Sequence, residues 1–430
     1  MANPKRYPPF YLSWLVWGLG AAFYFSSFYQ RMAPAVMTDY LMADFGIGAA
    51  SLGNLSAFFF YSYVAMQIPT GILVDSWGSK KLLTAGSFIA CLGALLFAVA
   101  PNVILANIGR LLMGGAMGIS WVALLKLSMN WFPPRYFAMT TGLALFCGVV
   151  GAVSAGVPLR ILVDHFGWRP VMLASAIVSL AIAFAIWILA RDDPSEKGYA
   201  SYIPSAHIRR DTKKSVFAGL LSVFRYKNAW LLSIAPAGIN GSAVAFAGLW
   251  GVPFLSTHYG LSPAKSAVVT SILLISWAVG GPVLGTLSDK IGQRKPLYVA
   301  GSFVACAGWS IILFVPQVPM WLLTLLISIV GFSTGSVIIG YAFIKESVPL
   351  SVAGTVSGVC NMGVMVGPMV LQPLMGWVLD RNWNGIVENS VKIYPLNAYQ
   401  AAFRLMLIGL ILTAVFVCLT KETRCRQMVN

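Results

Sequence analysis

Long apolar runs separated by short polar segments follow one another along almost the whole chain. A helix needs about 20 mostly apolar residues to cross the hydrocarbon core of a bilayer. The pattern predicts an all-α membrane protein with twelve transmembrane helices, six in each half, called spans 1 to 12 below. The predicted spans are residues 11–36, 50–75, 82–100, 103–131, 136–163, 170–190, 229–256, 264–288, 297–315, 319–346, 352–379 and 398–420.

A long polar segment separates the sixth run from the seventh, at about residues 191–228. It predicts three parts: an N-terminal six-helix bundle at 1–190, a cytoplasmic linker at 191–228, and a C-terminal six-helix bundle with a short cytoplasmic tail at 229–430. Residues 215–226 alternate apolar and basic positions at helical spacing, which is typical of a helix that lies on a membrane surface.

The two halves of the chain repeat one another. A glycine, an aspartate, a second glycine and a basic pair stand at the same offsets after span 2 and after span 8, 214 residues apart. The first copy is Gly71, Asp75, Gly78, Lys80 and Lys81, and the second is Gly285, Asp289, Gly292, Arg294 and Lys295. Such duplication in a hydrophobic chain is typical of transporters built from two pseudo-symmetric bundles.

Composition supports a lipid environment. Hydrophobic residues make up 58% of the chain and charged residues 10%, whereas soluble domains carry about 25% charged residues. If both termini are cytoplasmic, about twenty of the 29 Lys and Arg fall on the cytoplasmic side, which is the bias that orients membrane bundles. The net charge of +16 therefore indicates topology and contact with lipids, and we expect no nucleic-acid partner.

The residues within the spans do not indicate an enzyme. None of the six cysteines stands at metal-ligand spacing. The spans also lack an embedded pair of aspartates, a Ser/His dyad and a nucleotide-binding Gly-Lys-Ser/Thr loop. We therefore expect no enzymatic activity, no metal and no cofactor, and we expect a monomer whose partner is a small molecule.

The duplicated motif resembles the signature of the major facilitator superfamily, and the resemblance covers the whole chain. Within the superfamily the chain is similar to organic-anion and phosphorylated-metabolite uptake carriers, and to phagosomal nutrient carriers of intracellular bacteria. Span 5 departs from the Gly-x-x-x-Gly-Pro-x-Gly-Gly run of drug antiporters, which favours uptake. The further matching residues are Arg110 with Gly114 and Gly115, the Trp131-Phe132-Pro133 run, Tyr29-Gln30-Arg31, Lys126, and Gly376-Trp377 with Asp380.

This resemblance implies alternating access in a bacterial inner membrane, with two bundles that rock about a central site. It implies that Asp75 faces the cytoplasmic start of span 11 and that Asp289 faces the start of span 5. Carboxylates near helix N-termini are stabilised by the helix dipole. The ten residues of the two motif copies would then form the cytoplasmic gate, although the aspartates could instead only cap loops.

Charged residues inside spans are functional candidates, because an embedded charge is costly unless it is paired or faces water. The excess of positive charge favours an anionic or zwitterionic substrate. Arg160 and Arg404 lie near the outer ends of their spans, where an interfacial role is expected. The embedded cations are Arg31, Arg110, Lys126, Arg160 and Arg404, and the embedded acid is Glu346.

Arg31 lies about two thirds of the way along span 1, which lines the central cavity in this family. A guanidinium can donate two parallel hydrogen bonds to a carboxylate or a phosphate, so we assign Arg31 to substrate binding. The alternative is that it snorkels to the outer interface. Lys126 in span 4 carries the same two interpretations, with snorkelling towards the cytoplasm.

Coupling to protons is assigned to Glu346 and Arg110. Glu346 could carry the coupling proton, form a salt bridge with Lys345, or neutralise Lys126. Arg110 matches a family position that holds the bundle together and is tied to proton traffic.

Uncharged residues of the spans complete the predicted substrate site. Aromatic residues in spans more often belong to the core or to the interface belt, and the mid-span amides Asn240 and Asn361 are the stronger candidates. The assigned residues are Tyr24, Tyr29, Trp121, Asn240, Trp250, Tyr341 and Asn361.

The sequence thus predicts a secondary active transporter that takes up a small anionic or zwitterionic metabolite together with protons. An exchanger or an exporter of a small organic compound is the alternative, and a membrane nutrient receptor without transport activity is a further one. A carboxylate, a phosphorylated metabolite, an amino acid, a nucleoside and a ferric chelate all suit the predicted site.

Overall fold

The computed structural model describes residues 6–202, 225–315, 318–349, 352–388 and 390–428. Within them, eleven helical stretches are long and apolar enough to cross a membrane, and they coincide with predicted spans 2 to 12. The all-α class is confirmed. The stretches are Ala49–Trp77, Ser79–Ala98, Val103–Trp131, Pro134–Phe166, Trp168–Leu189, Lys227–Tyr259, Pro263–Ile291, Lys295–Phe314, Met320–Glu346, Thr355–Arg381 and Leu396–Cys418.

Span 1 is the helix Phe10–Met32, whose 23 residues are enough to cross a bilayer. Its tryptophans, tyrosines and serines lower its hydropathy, so it stands apart from the other eleven. A 3-10 turn at Ala33–Val36 and a short helix at Thr38–Phe45 lead to span 2. Beyond the spans, the described chain also forms a 3-10 turn at Pro194–Lys197 and an antiparallel hairpin of Val387–Glu388 and Val391–Lys392.

Several spans are broken into shorter helices where glycine or proline interrupts them. Gly118, Gly156 and Gly335 occupy the breaks in spans 4, 5 and 10, and glycine inside a helix costs up to about 1 kcal/mol relative to alanine. The segments are Val103–Met117 and Ser120–Trp131 in span 4; Pro134–Tyr136, Phe137–Ser154 and Val157–Phe166 in span 5; Lys227–Ile234, Pro236–Ala245, a π turn at Phe246–Trp250 and Gly251–Tyr259 in span 7; and Met320–Thr334 and Val337–Glu346 in span 10. Span 11 is a single helix, Ala353–Arg381.

The chain divides into two compact units. The described residues of Met1–Arg31, Tyr61–Ala152 and Phe166–Lys214 form the first unit, and those of Met32–Phe60, Val153–His165 and Ser215–Asn430 form the second. The predicted domain boundaries at 190 and 229 stay a prediction. Of the predicted linker, residues 203–224 lie outside the described residues, and so does most of the predicted surface helix at 215–226.

Glycines bring helix backbones into contact within each unit. In the first unit, a Cβ added to Gly93 of span 3 would lie 2.7 Å from the carbonyl oxygen of Gly109 in span 4. In the second unit, a Cβ added to Gly367 of span 11 would lie 2.1 Å from the carbonyl oxygen of Ala237 in span 7. Small residues at helix contacts are the usual means of close packing in lipid.

A carboxylate joins two helix ends in the second unit. Asp380, near the end of span 11, accepts hydrogen bonds from the backbone N–H groups of Ala49 and Ala50 at the start of span 2, at 3.2 and 2.8 Å. The Tyr394 hydroxyl donates to the same carboxylate at 2.6 Å, and burial together with this hydrogen bond raises the pKa of Tyr394. A carboxylate at a helix N-terminus is stabilising.

Arg160 of span 5 also belongs to the second unit. The sequence places it near a membrane interface, but its side chain is buried in a cluster with two acids. Its guanidinium donates hydrogen bonds to Asp39 at 3.0 Å and forms an ion pair with Asp164 at 2.9 Å. Arg160 therefore ties span 5 to the short helix that precedes span 2.

Candidate functional site

Arg31 is the cation of span 1, and it is buried, with 3% of its surface exposed. Its guanidinium carbon lies 4.5 Å from the centre of the Phe28 ring and 4.8 Å from the centre of the Tyr63 ring. Ring faces attract cations, more strongly in a desolvated place. Span 2 thus supplies Tyr63 to this group, a residue that the sequence did not single out.

Aromatic side chains extend from Arg31 along span 1 of the first unit. The Tyr24 ring lies 5.1 Å from the Phe28 ring and 5.2 Å from the Trp121 ring of span 4, centre to centre. Gly148 of span 5 makes room for them, because a Cβ there would lie 2.8 Å from Tyr24 Cε1. Arg31, Tyr24 and Trp121 therefore belong to one group that is connected through Phe28, and their assignment to the substrate site stays a prediction.

Tyr29 is not part of this group. It lies two residues before Arg31, and two residues correspond to about 200° of rotation along an α-helix. Its hydroxyl is hydrogen-bonded to Ser175 of span 6. Its assignment to the substrate site stays a prediction. In this structure its hydroxyl joins span 1 to span 6.

Arg110 holds three spans together in the first unit. Its side chain is 1% exposed, and its Nη1 donates to the backbone carbonyl of Gln30 in span 1 at 2.7 Å. The Gln30 side chain in turn donates to Ser179 of span 6 at 3.3 Å. Buried polar groups in such a network are costly to leave unmatched. This geometry favours the bundle-holding role of Arg110, while its coupling role stays a prediction.

Lys126 lies with the first motif copy. Its ammonium donates to the Asp75 carboxylate and to the Val74 carbonyl, both at 2.7 Å. The substrate role that the sequence assigned to Lys126 stays a prediction. In this structure Lys126 pairs with Asp75, a residue of the predicted gate, and the alternative of snorkelling also stays a prediction.

The second motif copy contains a buried arginine between two acids. Arg294 Nη1 lies 2.6 Å from Asp289 Oδ1, and Arg294 Nη2 lies 2.6 Å from Glu346 Oε1. The Thr423 hydroxyl also donates to the Glu346 carboxylate at 2.5 Å. Within its own unit the ion-pair partner of Glu346 is therefore Arg294 and not the neighbouring Lys345; the predicted neutralisation of Lys126 stays a prediction. Its role in coupling stays a prediction.

The other residues of the predicted gate differ in their surroundings. A Cβ on Gly71 would meet no atom within 4 Å, whereas Gly78 and Gly292 have left-handed backbones with φ of +85° and +71°. The Lys80 ammonium lies 4.9 Å from the Trp187 ring centre, and the Lys295 ammonium donates to the Thr420 carbonyl at 3.0 Å. Gly285 packs loosely against Ile338, and Lys81 is exposed.

The predicted polar residues of the second unit pair mostly with span 11. Asn240 of span 7 donates to the Val364 carbonyl at 2.8 Å. Trp250 donates to the Gln372 carbonyl at 3.2 Å. Both are buried and these bonds join span 7 to span 11, while their assignment to the substrate site stays a prediction.

Tyr341 and Asn361 form a pair in the same unit. The Tyr341 hydroxyl of span 10 donates to the Asn361 Oδ1 of span 11 at 2.9 Å, and both side chains are half-buried. Among the second-unit residues that the sequence selected, this pair keeps partial exposure and polar groups together. Among the described residues, no group of three or more His, Cys, Asp or Glu side chains could hold a metal ion.

The family is decided by a sequence match that covers most of the chain. The sequence profile of the Major Facilitator Superfamily matches residues 18–370. The chain belongs to the major facilitator superfamily. It is a multi-pass membrane protein and a secondary transporter of small metabolites, in a family of transporters rather than of enzymes. The predicted superfamily membership is confirmed.

Two relatives are similar to this superfamily member over most of their length. One from Cupriavidus necator, described as a probable sulfoacetate transporter, is 24% identical and covers 85% of this chain and 87% of its own. One from Bacillus subtilis, described as a probable galactarate/D-glucarate transporter, is 22% identical over 88% of each chain. A solved bacterial homologue of the human lysosomal transporter Spinster superposes with a TM-score of 0.75, at 18% identity, over 94% of this chain and 96% of its own, which shows the fold.

Proposed function

We propose that this transporter takes up a small organic anion by alternating access, in symport with protons, across a bacterial inner membrane. The observation that carries the proposal is Arg31, a buried guanidinium of span 1 beside the rings of Phe28 and Tyr63. In this proposal Arg31 binds the negative group of the substrate, and Tyr24 and Trp121 bind its carbon skeleton.

Burial explains why an arginine suits this place. Removing a charge from water in a membrane is costly, so an embedded arginine is retained where it serves substrate or structure. A guanidinium in a place of low dielectric interacts strongly with an anion, and its planar fork matches a carboxylate or a sulfonate with two parallel hydrogen bonds. Aromatic rings at its sides add a surface for the apolar part of a metabolite.

The substrate class follows from the roles of the embedded cations. In the first unit Lys126 is bonded to Asp75 and Arg110 to the Gln30 carbonyl. Arg31 lies against the rings of Phe28 and Tyr63, and it is the cation that this proposal assigns to the substrate. This favours a compound with one carboxylate or sulfonate at that position. The relatives described as transporters of sulfoacetate and of galactarate or D-glucarate support this class.

Topology and coupling belong to the same proposal. Lys and Arg are in excess in the loops that are predicted on the same side of the membrane as the two termini. This favours cytoplasmic N- and C-termini. We propose that the transporter works as a monomer in contact with membrane lipids, with proton coupling through Glu346 or Arg110. Uptake into liposomes with and without a proton gradient distinguishes symport from exchange. Symport should depend on the gradient, whereas an exchanger needs substrate on the far side of the membrane and no gradient.

Substitution of Arg31 tests the proposal directly. We expect Arg31→Ala to abolish uptake of D-glucarate or sulfoacetate and Arg31→Lys to weaken it, because lysine keeps the charge without the fork. A hydrogen bond to a charged group contributes about 1.5–3 kcal/mol, so affinity should fall about 10- to 150-fold in Arg31→Ala. The measurement is a binding isotherm on purified protein.

Arg404→Ala is the matched control. Arg404 is exposed, and its guanidinium lies 5.7 Å from the Phe314 ring centre. It should bind as the parent does. An Arg31→Ala protein that binds within threefold of the parent would mean that Arg31 has only a packing or interfacial role, and the anionic substrate class would be lost with it.

A further inference from the structure

Each copy of the repeated motif ends at the start of a helix. Span 3 begins at Ser79, directly after Gly78, the second glycine of the first copy. Span 9 begins at Lys295, directly after Arg294, the first basic residue of the second copy. The first backbone N–H groups of any helix have no partner within that helix. These groups therefore need acceptors from elsewhere in the chain.

In the first unit the acceptor is Asp192, three residues after the end of span 6. Its Oδ1 accepts from the backbone N–H of Lys80 at 2.7 Å. Its carboxylate occupies the place beside Gly78, because a Cβ on Gly78 would lie 2.2 Å from Asp192 Oδ2. The motif glycine at this position thus serves two needs, a left-handed backbone and space for an acid that comes from far along the chain.

The segment that carries Asp192 is itself held by the end of span 4. The Asn130 side chain donates to the Asp192 carbonyl at 2.8 Å, and the Trp131 indole donates to the Arg191 carbonyl at 2.9 Å. These two bonds hold the segment that carries the Asp192 carboxylate in place. The carboxylate links the ends of spans 4 and 6 to the start of span 3.

In the second unit the acceptor is Glu422, four residues after the end of span 12. It accepts from the backbone N–H groups of Arg294 at 3.0 Å and Lys295 at 2.8 Å. Partial burial would raise the pKa of Glu422, but hydrogen bonds from backbone N–H groups, that of Arg294 first, outweigh it and hold the pKa below its ordinary value. The carboxylate is therefore stabilised in its charged form.

The segment around Glu422 is also fixed, in this case by two spans. The Asn228 side chain of span 7 donates to the Lys421 carbonyl at 2.8 Å and accepts from the Lys421 N–H at 2.9 Å. In span 10, the Glu346 carboxylate accepts from the Thr423 hydroxyl, and the Glu346 backbone carbonyl accepts from the Met428 N–H at 2.8 Å. The C-terminal segment thus lies against the second motif through several specific bonds.

We infer that Asp192 and Glu422 are positioning residues of the transport cycle, and that each completes one copy of the repeated motif. Each acid caps the helix that follows its motif and so fixes the turn after the predicted gating aspartate, Asp75 or Asp289, which lies in the last turns of the preceding helix. Neither acid lies in the repeat itself. Their common feature is that each follows the last span of its half of the chain.

Hydrogen exchange tests the inference without any substrate. In the full-length protein in detergent, Asp192→Ala should raise the exchange rate of the amides at residues 79–83 about 3- to 10-fold, in the range expected for loss of a helix cap. Glu422→Ala should do the same at residues 294–298. Asp192→Asn keeps an acceptor oxygen and should restore most of the protection.

Asp193→Ala is the matched control. Asp193 carries the same charge one residue away, but it caps the 3-10 turn at Pro194–Lys197 and accepts from Ser201. It should leave exchange at residues 79–83 unchanged. If Asp192→Ala and Asp193→Ala gave the same exchange there, the assignment of Asp192 would be overturned.

Transport kinetics separate positioning from simple loss of structure. With D-glucarate as the probe in liposomes, Asp192→Ala and Glu422→Ala should lower the maximal rate about 3- to 10-fold while KM stays within twofold. A rise of KM in parallel, or an unchanged rate, would contradict the inference. If the parent does not take up D-glucarate, the proposed substrate class fails, whereas the exchange experiment still decides the roles of Asp192 and Glu422.

Discussion

The first and second copies of the repeated motif have the same residue pattern but different ion pairs. In the first copy, Asp75 pairs with Lys126 of span 4, and the two side chains are 60% and 30% exposed. In the second copy, the motif's own Arg294 is 8% exposed and lies between Asp289 and Glu346, of which Glu346 is 15% exposed. One copy thus holds an accessible pair, and the other holds a buried cation with two acids.

The neighbouring helix explains the difference. The end of span 10 supplies Glu346, whereas the corresponding end of span 4 reads Asn130-Trp131-Phe132 and supplies no acid. Exposed ion pairs are worth about 0–1 kcal/mol, but removing one partner of a buried pair costs about 3–5 kcal/mol. The first copy is therefore suited to a contact that forms and breaks in each cycle, and the second to a contact that persists.

The largest effect is expected from breaking the buried cluster. Glu346→Ala should lower the free energy of unfolding by about 3 kcal/mol, because Arg294 then keeps one acid in a largely buried place. Thermal unfolding of the purified protein measures it. Lys345→Ala, an exposed neighbour, is the control and should stay close to the parent.

The same residue also tests proton coupling. Glu346→Gln should change the pH dependence of uptake more than it changes counterflow. Overlapping pH profiles of Glu346→Gln and the parent would assign the coupling proton elsewhere and leave Glu346 with a role in stability only.

The two motif glycines sharpen the comparison. Gly292→Ala forces alanine into the left-handed helical region, which costs about 1–2 kcal/mol. Gly78→Ala forces it to φ +85° and ψ +159°, a region that is essentially restricted to glycine and costs about 1–3 kcal/mol. A Cβ on Gly78 would also collide with Asp192, while one on Gly292 would meet nothing within 4 Å. We expect Gly78→Ala to lose about 1–3 kcal/mol more than Gly292→Ala, measured by unfolding. Equal losses would remove the steric part of the argument.

A smaller effect on stability is expected at the exposed pair of the first copy. Asp75→Asn should reduce uptake while the free energy of unfolding changes by less than about 1 kcal/mol. A double-mutant cycle with Lys126→Gln should give a coupling energy of about 0.2–1 kcal/mol. Normal uptake by Asp75→Asn would exclude Asp75 from the gate.

The smallest effect is a pH dependence at Glu422, the acid that lies against the second copy. The pKa of Glu422 lies below its ordinary value of 4.5, so its contribution to stability is present above pH about 4.5 and is lost as the pH falls through the folded-state pKa. As the pH falls, Glu422→Gln should therefore lose less stability than the parent does. Thermal unfolding between pH 6 and pH 3, roughly the window set by this shift, compares the variant with the parent, and parallel curves would contradict the prediction.

Local pattern determined the spans and the repeat. The length of each apolar run sets whether a helix can cross a bilayer, so spans 2 to 12 followed from the sequence, and the duplicated glycine, aspartate and basic positions were visible without a structure. Arg31 with Tyr24 and Trp121 could also be selected, because embedded charges and aromatic residues are few enough to choose among.

Only the tertiary structure decided which groups meet. Lys126 bonds to Asp75 across 51 residues, Arg294 to Glu346 across 52, and Lys80 to Asp192 across 112. Helix rotation and packing set these pairs, and neither leaves a periodic signal in the sequence. For the same reason Gly78 could be recognised as part of a motif from the sequence, whereas its need for space beside the Asp192 carboxylate depends on where the chain returns after span 6.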